Sequence, residues 1–117
     1  MTSPEKYLQA LRKFCLALPE TVETDSFGHP NFRAGKKTFC AVEWVKGRPS
    51  VAFRLDPADQ AAVGMLADFF PTPYGKGLWL SLWLDEQPAM ALLENLALTG
   101  YRTVALKRML RALEAGV

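Results

Sequence analysis

KTFCAVEWVKGRPSVAFRL, residues 37–55, is the stretch that decides the fold. Its first part, residues 37–45, and its last part, residues 51–55, each alternate side chains with a period of two, which is typical of β-strands. Between them, Lys46, Gly47 and Arg48 make a turn so short that the two strands must run antiparallel. We therefore predict a β-hairpin at the centre of the chain.

The strands are expected to continue toward the amino terminus. Thr21 to Phe27 alternates β-branched and polar residues, which predicts an edge strand. Gly28-His29-Pro30 reads as a turn, and Phe32 begins a short second strand. Gly35-Lys36 is the predicted tip of the hairpin that leads into the central stretch. The result is an antiparallel meander.

Three helices are predicted around the strands. The first is capped by Ser3 and ended by Pro19, with its apolar residues at the three-and-four spacing of one helical face. The second runs from Pro57 to about Leu66. The third is opened by Pro88 and is long, with a bend expected around Gly100.

The segment between the second and third helices contains one more predicted strand. Residues 69–77 are rich in proline and glycine and are expected to form turns. From Leu78 to Leu84 the even positions are all leucine, whereas Trp79 and Trp83 lie at odd positions. One face of this strand should therefore be core, and the other partly aromatic.

This order of elements predicts one α+β domain over residues 1–117, a two-layer sandwich whose antiparallel sheet carries its helices on one face. Half of the residues are hydrophobic, which is enough to fold unaided. No apolar run approaches the roughly 20 residues that cross a bilayer, and the amino terminus does not read as a leader. We expect a soluble, cytoplasmic protein in which Cys15 and Cys40 are reduced core thiols.

Charge is distributed unevenly along a chain whose formal net charge is only +2. Residues 31–54 carry six basic side chains against Glu43 alone, which makes that segment +5. Residues 55–99 carry Lys76 against six carboxylates, which makes −5, and residues 100–117 return to +3. The distribution, more than the total, indicates a basic surface.

The basic side chains of the hairpins are the candidate nucleic-acid contacts, because cations on turn tips can reach phosphates. Three cations of the last helix share part of one face and extend the same surface. The alternative for the hairpin cations is that they are solvated tips that discourage aggregation. The alternative for the helical cations is that the dipole at a helix carboxyl end favours them. The candidate residues are Arg33, Lys36, Lys37, Lys46, Arg48, Lys107, Arg108 and Arg111.

Aromatic residues form the second candidate surface. Trp44, Tyr74, Trp79 and Trp83 would bind a peptide or stack on bases if they were exposed on one sheet face. If the terminal helix covers them, they are only a second part of the core.

Catalytic, cofactor and metal sites are not expected. Asp25 lies four residues before His29, a spacing that suits an acid/base pair, but no nucleophile accompanies them. The alternative is a structural turn histidine. Gly75-Lys76-Gly77 lacks the form of a phosphate-binding loop, and with a single histidine a zinc ion would need carboxylates to complete its usual four ligands. We expect a non-enzymatic domain without a cofactor.

Several local strings resemble the MmcQ/YjbR family of small bacterial proteins. They are Leu18-Pro19, Phe27-Gly28-His29-Pro30-Asn31-Phe32-Arg33, Gly35-Lys36-Lys37-Thr38-Phe39, Trp79 after a glycine-rich turn, and Tyr101-Arg102-Thr103-Val104-Ala105. The resemblance implies the CyaY-like fold of bacterial frataxin and type III secretion chaperones, with the order α-β-β-β-α-β-β-α. Residues 106–111 continue as a helix beyond the point at which members of the family are expected to finish.

The resemblance also implies a function, since the family is commonly described as DNA-binding through a double-wing arrangement of strands. The leading expectation is a DNA-binding module that uses the basic hairpin tips. The alternative is a protein- or peptide-interaction domain that resembles a chaperone and uses the aromatic sheet face. Either would act as a monomer or a homodimer.

Overall fold

The computed structural model describes residues 3–116, which form a six-stranded antiparallel sheet with four α-helices. The strands follow the order β1-β2-β3-β4-β6-β5 across the sheet. This confirms the predicted α+β class and places β1 at one edge. The strand bounds are β1 Thr21–Ser26, β2 His29–Ala34, β3 Lys37–Val45, β4 Arg48–Arg54, β5 Phe69–Pro71 and β6 Trp79–Trp83.

The two long helices lie on one face of this sheet. Helix α3 packs on β3 and β4, and α1 packs on α3 and on β1 and β2. The core between the layers is filled by the side chains that the alternation of β3, β4 and β6 directs toward the helices, such as Phe53 and Leu82. The helix bounds are α1 Ser3–Leu16, α2 Pro57–Val63, α3 Met90–Val104 and α4 Lys107–Ala115, with a short 3₁₀ helix at Leu84–Glu86.

The predicted long terminal helix is in fact two helices. Helix α3 is continuous through Gly100, and the chain breaks instead where Ala105 and Leu106 both adopt extended backbone angles. Neither residue is a helix breaker, so no local signal in the sequence predicted the break. The break allows α4 to bring the buried side chain of Met109 against the tip that joins β2 to β3.

Two segments that were predicted as turns include residues that belong to strands. Only Phe27 and Gly28 form the turn between β1 and β2, and His29 and Pro30 already belong to β2. The segment predicted to be rich in turns also includes β5, which pairs with β6. Helices α1 and α2 end two and three residues earlier than predicted, at Leu16 and Val63.

Among the described residues 3–116, no helix packs on the second face of the sheet. The predicted alternation in β6 is confirmed, with Leu80 and Leu82 in the core and Trp79 and Trp83 on the helix-free face. A β-bulge lies between Phe32 and Arg33, opposite residues 38–40. It lets Phe39 and Cys40 both enter the core. Within residues 3–116, none of the helices is both long and apolar enough to cross a membrane.

Candidate functional site

The predicted basic residues do not form one surface. The tip between β2 and β3 and the tip between β3 and β4 lie at opposite ends of β3, because each end of a strand in a meander carries one turn. Strand β3 has nine residues, which at about 3.4 Å each separates the two tips by about 30 Å. Lys36 and Lys37 therefore lie far from Lys46 and Arg48.

Arg48 is occupied by carboxylates. Its guanidinium donates to both oxygens of Asp85, at 2.9 and 2.7 Å, and to Glu86 at 3.1 Å. The same group lies 4.0 Å above the ring of Trp83. The hydrogen bond to Asp85 is the largest cause of a raised pKa of Arg48. Arg48 thus stabilises the end of β6, and is not free to bind a phosphate.

This pairing predicts the titration of Asp85. The hydrogen bond from Arg48 lowers the pKa of Asp85, so the pairing contributes stability above the ordinary pKa of the carboxyl and loses it as the pH falls through the lowered value. In Arg48→Met we expect the pKa of Asp85 to rise toward its ordinary value. An NMR pH titration of the Asp85 carboxyl measures this directly. Lys46→Met, which removes an exposed neighbouring cation, should leave the pKa of Asp85 in place.

The other end of the sheet brings basic residues together. The tip residues Gly35, Lys36 and Lys37 line one cavity of about 430 Å³ with Arg108 and Met109 of α4. Lys107, the first residue of α4, directly precedes Arg108. Within residues 3–116, the side chains of Lys36, Lys37 and Lys107 are exposed and make no ion pair. We call this set, Lys36, Lys37 and Lys107, the basic end.

The remaining two predicted cations lie further along α4. Arg108 is paired, since it donates to both oxygens of Glu20 at 2.9 and 2.8 Å. Arg111 follows one turn after Lys107 and is exposed. The alternative explanation was that the dipole at a helix carboxyl end favours these cations. It was wrong for Lys107 and Arg108, because they open α4 and lie at its amino end.

The aromatic residues do not form an open binding face. The ring of Trp83 stacks on Phe70 at 4.1 Å between centroids, and Arg48 covers part of it. Trp79 is half-buried beside Tyr74, with centroids 6.2 Å apart. Only Trp44 leaves most of its side chain exposed, at 56%.

Asp25 and His29 do not form the acid/base pair that their spacing suggested. The Asp25 carboxylate instead accepts a hydrogen bond from the backbone N–H of Gly28 at 2.8 Å and so closes the turn between β1 and β2. His29 is the first residue of β2, and its side chain lines a cavity on the helix-free face.

That cavity, of about 420 Å³, is the feature that the sequence analysis missed; we call it the open-face pocket. Strand β2 contributes three alternate residues, His29, Asn31 and Arg33, so Arg33 lies here and not at a turn tip. The missed signal is this polar alternation, which was hidden when residues 28–30 were interpreted as a turn. The other residues that line the pocket are Ser26, Phe27, Thr38, Ala41, Glu43, Tyr74 and Trp79.

Tyr74 forms a wall of the open-face pocket. It reaches the helix-free face because the segment after β5 folds back over the sheet, where Thr72 hydrogen-bonds Ser81 at 2.6 Å. Burial raises the pKa of Tyr74, and the neighbouring carboxylate of Glu43 raises it further. The tyrosine therefore keeps its proton and remains a hydrogen-bond donor at neutral pH.

Comparison with solved structures supports the fold. The crystal structure of the Deinococcus radiodurans protein DR2400, which contains a domain designated DUF419, aligns with a TM-score of 0.67. The alignment covers 92% of this chain and 87% of that chain at 20% sequence identity. At that identity, the likeness concerns the fold. No curated protein sequence matches this chain.

Comparison with protein families gives the assignment. The sequence profile of the YjbR family matches residues 16–103, from the end of α1 to the end of α3. The matched range includes the whole sheet and the open-face pocket, whereas α4 follows it. The match covers most of the chain and agrees with the strings that resemble this family. The chain belongs to the YjbR family.

Proposed function

We propose that this protein binds nucleic-acid backbones weakly and without base specificity, through the basic end. The observation that carries the proposal is that the tip between β2 and β3 places two unpaired lysines next to the amino end of α4, which begins with a third. The proposal assigns no chemical reaction to the domain.

The amino end of α4 suits a phosphate for a second reason. The first N–H groups of a helix have no partners within it, and the helix dipole there favours negative charge. Leu106, the N-cap residue, has no side chain that could accept a hydrogen bond from these groups. Arg108 adds little, because Glu20 already neutralises it. Lys36, Lys37 and Lys107 therefore supply the main attraction.

The expected binding is steeply dependent on salt. Neutralising about three phosphates gives a slope of log K against log salt of about −2.7, so affinity for duplex DNA should fall about 40-fold between 50 and 200 mM salt. In the triple variant Lys36→Gln, Lys37→Gln and Lys107→Gln, the slope should approach zero and the affinity at low salt should fall at least about ten-fold. Fluorescence anisotropy of a labelled duplex measures both quantities.

A variant with the same change in net charge provides the control. Lys6→Gln, Lys13→Gln and Lys76→Gln removes three exposed lysines outside the basic end. For this control, the slope of log K against log salt should stay close to that of the unaltered protein. If the two triple variants lose affinity equally, binding depends only on net charge and the basic end is not the site. If the unaltered protein binds no DNA at low salt, the proposed function is wrong.

A protein-interaction role through the aromatic face is not proposed as a second candidate. The residues that would form that face are engaged with one another and with Arg48. Trp44 alone does not make a patch of the size that marks interaction surfaces.

A further inference from the structure

Residues that line the open-face pocket carry buried polar atoms that have no hydrogen-bond partner in the protein. Of the four buried side-chain nitrogen and oxygen atoms without a hydrogen bond among residues 3–116, three belong to residues that line this one pocket. They are Nε of Arg33, Nδ1 of His29 and Oε1 of Glu43. Buried polar groups in folded proteins are nearly always satisfied, so three such residues around one cavity indicate a polar ligand that the cavity receives.

The two charges in the pocket do not satisfy each other. Arg33 and Glu43 have opposite sign and line the same cavity, but no ion pair joins them. Within residues 3–116, neither makes an ion pair with any other residue. A partly buried cation and anion that remain apart leave two separate places for complementary charges.

The pairing of β2 with β3 gives the distance between the charged groups of a ligand that would bind at Arg33 and at Glu43. Arg33 pairs with Thr38 at one end of the pocket, and Asn31 pairs with Ala41 at its middle. Glu43 lies two residues beyond Ala41, so it marks the other end. The backbones of Arg33 and Glu43 are thus about 13 Å apart along the strands. Allowing for their side chains, the two charged groups of a ligand would lie about 6–10 Å apart, the span of two or three extended residues.

The ends differ in what they can bind. At the first end, the guanidinium of Arg33 offers donors for a carboxylate, with the hydroxyl of Thr38 beside it. At the other end, Glu43 offers an acceptor, and the hydroxyl of Tyr74 interacts with its carboxylate. A carboxylate and a hydroxyl oxygen can both accept from an ammonium group, so this end suits a cation. The small side chain of Ala41 leaves the space between them open.

We propose that the open-face pocket binds a small extended zwitterion, with its carboxylate at Arg33 and its ammonium at Glu43 and Tyr74. A free di- or tripeptide has this chemistry, and so has an ω-amino acid of similar length. This site is separate from the basic end and does not depend on the proposed nucleic-acid function.

The test compares four probes on the full chain. They are dialanine, 6-aminohexanoate, N-acetyl-dialanine, which lacks the ammonium, and dialanine amide, which lacks the carboxylate. Binding is followed by the indole N–H signal of Trp79 in NMR spectra, assigned by its loss in Trp79→Phe. We expect dialanine to shift this signal saturably, and both singly charged probes to bind about ten-fold more weakly or worse. Binding of 6-aminohexanoate as tight as that of dialanine assigns the site to zwitterions in general, and weaker binding assigns it to peptides.

Two neutral variants of similar shape test the orientation of the ligand. Arg33→Gln should weaken dialanine about ten-fold or more but leave dialanine amide unchanged, and Glu43→Gln should do the same for dialanine while leaving N-acetyl-dialanine unchanged. Arg111→Gln and Glu114→Gln, on exposed positions of α4, are the matched controls. Ala41→Leu, which fills the pocket and keeps both charges, should abolish binding; the dispersion of its NMR spectrum shows that it is folded.

Two results would overturn the proposal. If N-acetyl-dialanine binds as tightly as dialanine and Glu43→Gln has no effect, the pocket is a site for anions and not for zwitterions. If none of the four probes shifts the Trp79 signal at about 10 mM, the buried atoms are satisfied by solvent alone.

Discussion

Replacing Tyr101 by alanine is expected to lower the free energy of unfolding by about 3–5 kcal/mol. Tyr101 lies in α3 and is fully buried, at 0% exposure. Its ring meets that of Phe39 edge-on, with centroids 5.5 Å apart and planes at 83°. Its hydroxyl donates to the backbone carbonyl of Pro19 at 2.7 Å. One side chain thus joins α3, β3 and the loop that ends α1, and its removal leaves a cavity where they meet.

Tyr101→Phe separates the two contributions. It keeps the ring and its contact with Phe39 but leaves the carbonyl of Pro19 without this donor, so we expect a loss of about 1–2 kcal/mol. Urea unfolding followed by circular dichroism gives the loss of unfolding free energy for each variant, provided that the slope of this free energy against urea concentration is the same as in the unaltered protein. If the alanine variant loses no more than the phenylalanine variant, the ring does not hold these elements together.

The fold was largely predictable because its signals are local. The period of two in β3, β4 and β6 is set by backbone geometry, so the place of each residue in the alternation predicts the sheet face on which its side chain lies. The short turns that contain Gly35 and Gly47 likewise predicted that the strands on either side of them pair antiparallel. The break at Ala105 and Leu106 was not predictable, because neither residue opposes helix and the packing of Met109 that follows the break is a contact with the distant tip at Gly35.

The site was less predictable because it depends on contacts between distant residues. Arg48 and Asp85 are 37 residues apart, and no count of charges along the chain shows that one neutralises the other. The same holds for Arg108 and Glu20, which are 88 residues apart. The sequence therefore indicated where cations lie but not which of them are free. Ion pairs removed Arg48 and Arg108 from the eight candidates, and the place of Arg33 on the sheet face and of Lys46 at the opposite tip removed two more.

The two proposed sites use different parts of the molecule. The basic end is built from the tip between β2 and β3 and from α4, whereas the open-face pocket uses the helix-free face of β2 and β3. Variants of one should leave the other intact, so the two proposals can fail independently.

Gly100 shows most clearly how sequence and structure differ. A glycine inside a predicted helix indicated a bend, but α3 is continuous through it. A Cβ at this position would lie 3.0 Å from the backbone oxygens of both Arg54 and Phe39. The glycine therefore allows α3 to approach β3 and β4 closely. Both contacts are with strand backbone, which cannot move aside without shifting the sheet.

Gly100→Val is accordingly expected to lower the free energy of unfolding by about 3 kcal/mol or more, because the added side chain must push α3 away from the sheet. Ala91→Val is the matched control, since it puts the same side chain at an exposed position of the same helix and should cost less than about 1 kcal/mol. Urea unfolding of both variants separates the effect of close packing from the helix propensity of valine. Equal losses in the two variants would mean that the close approach at Gly100 contributes nothing, and that the glycine is tolerated there without being required.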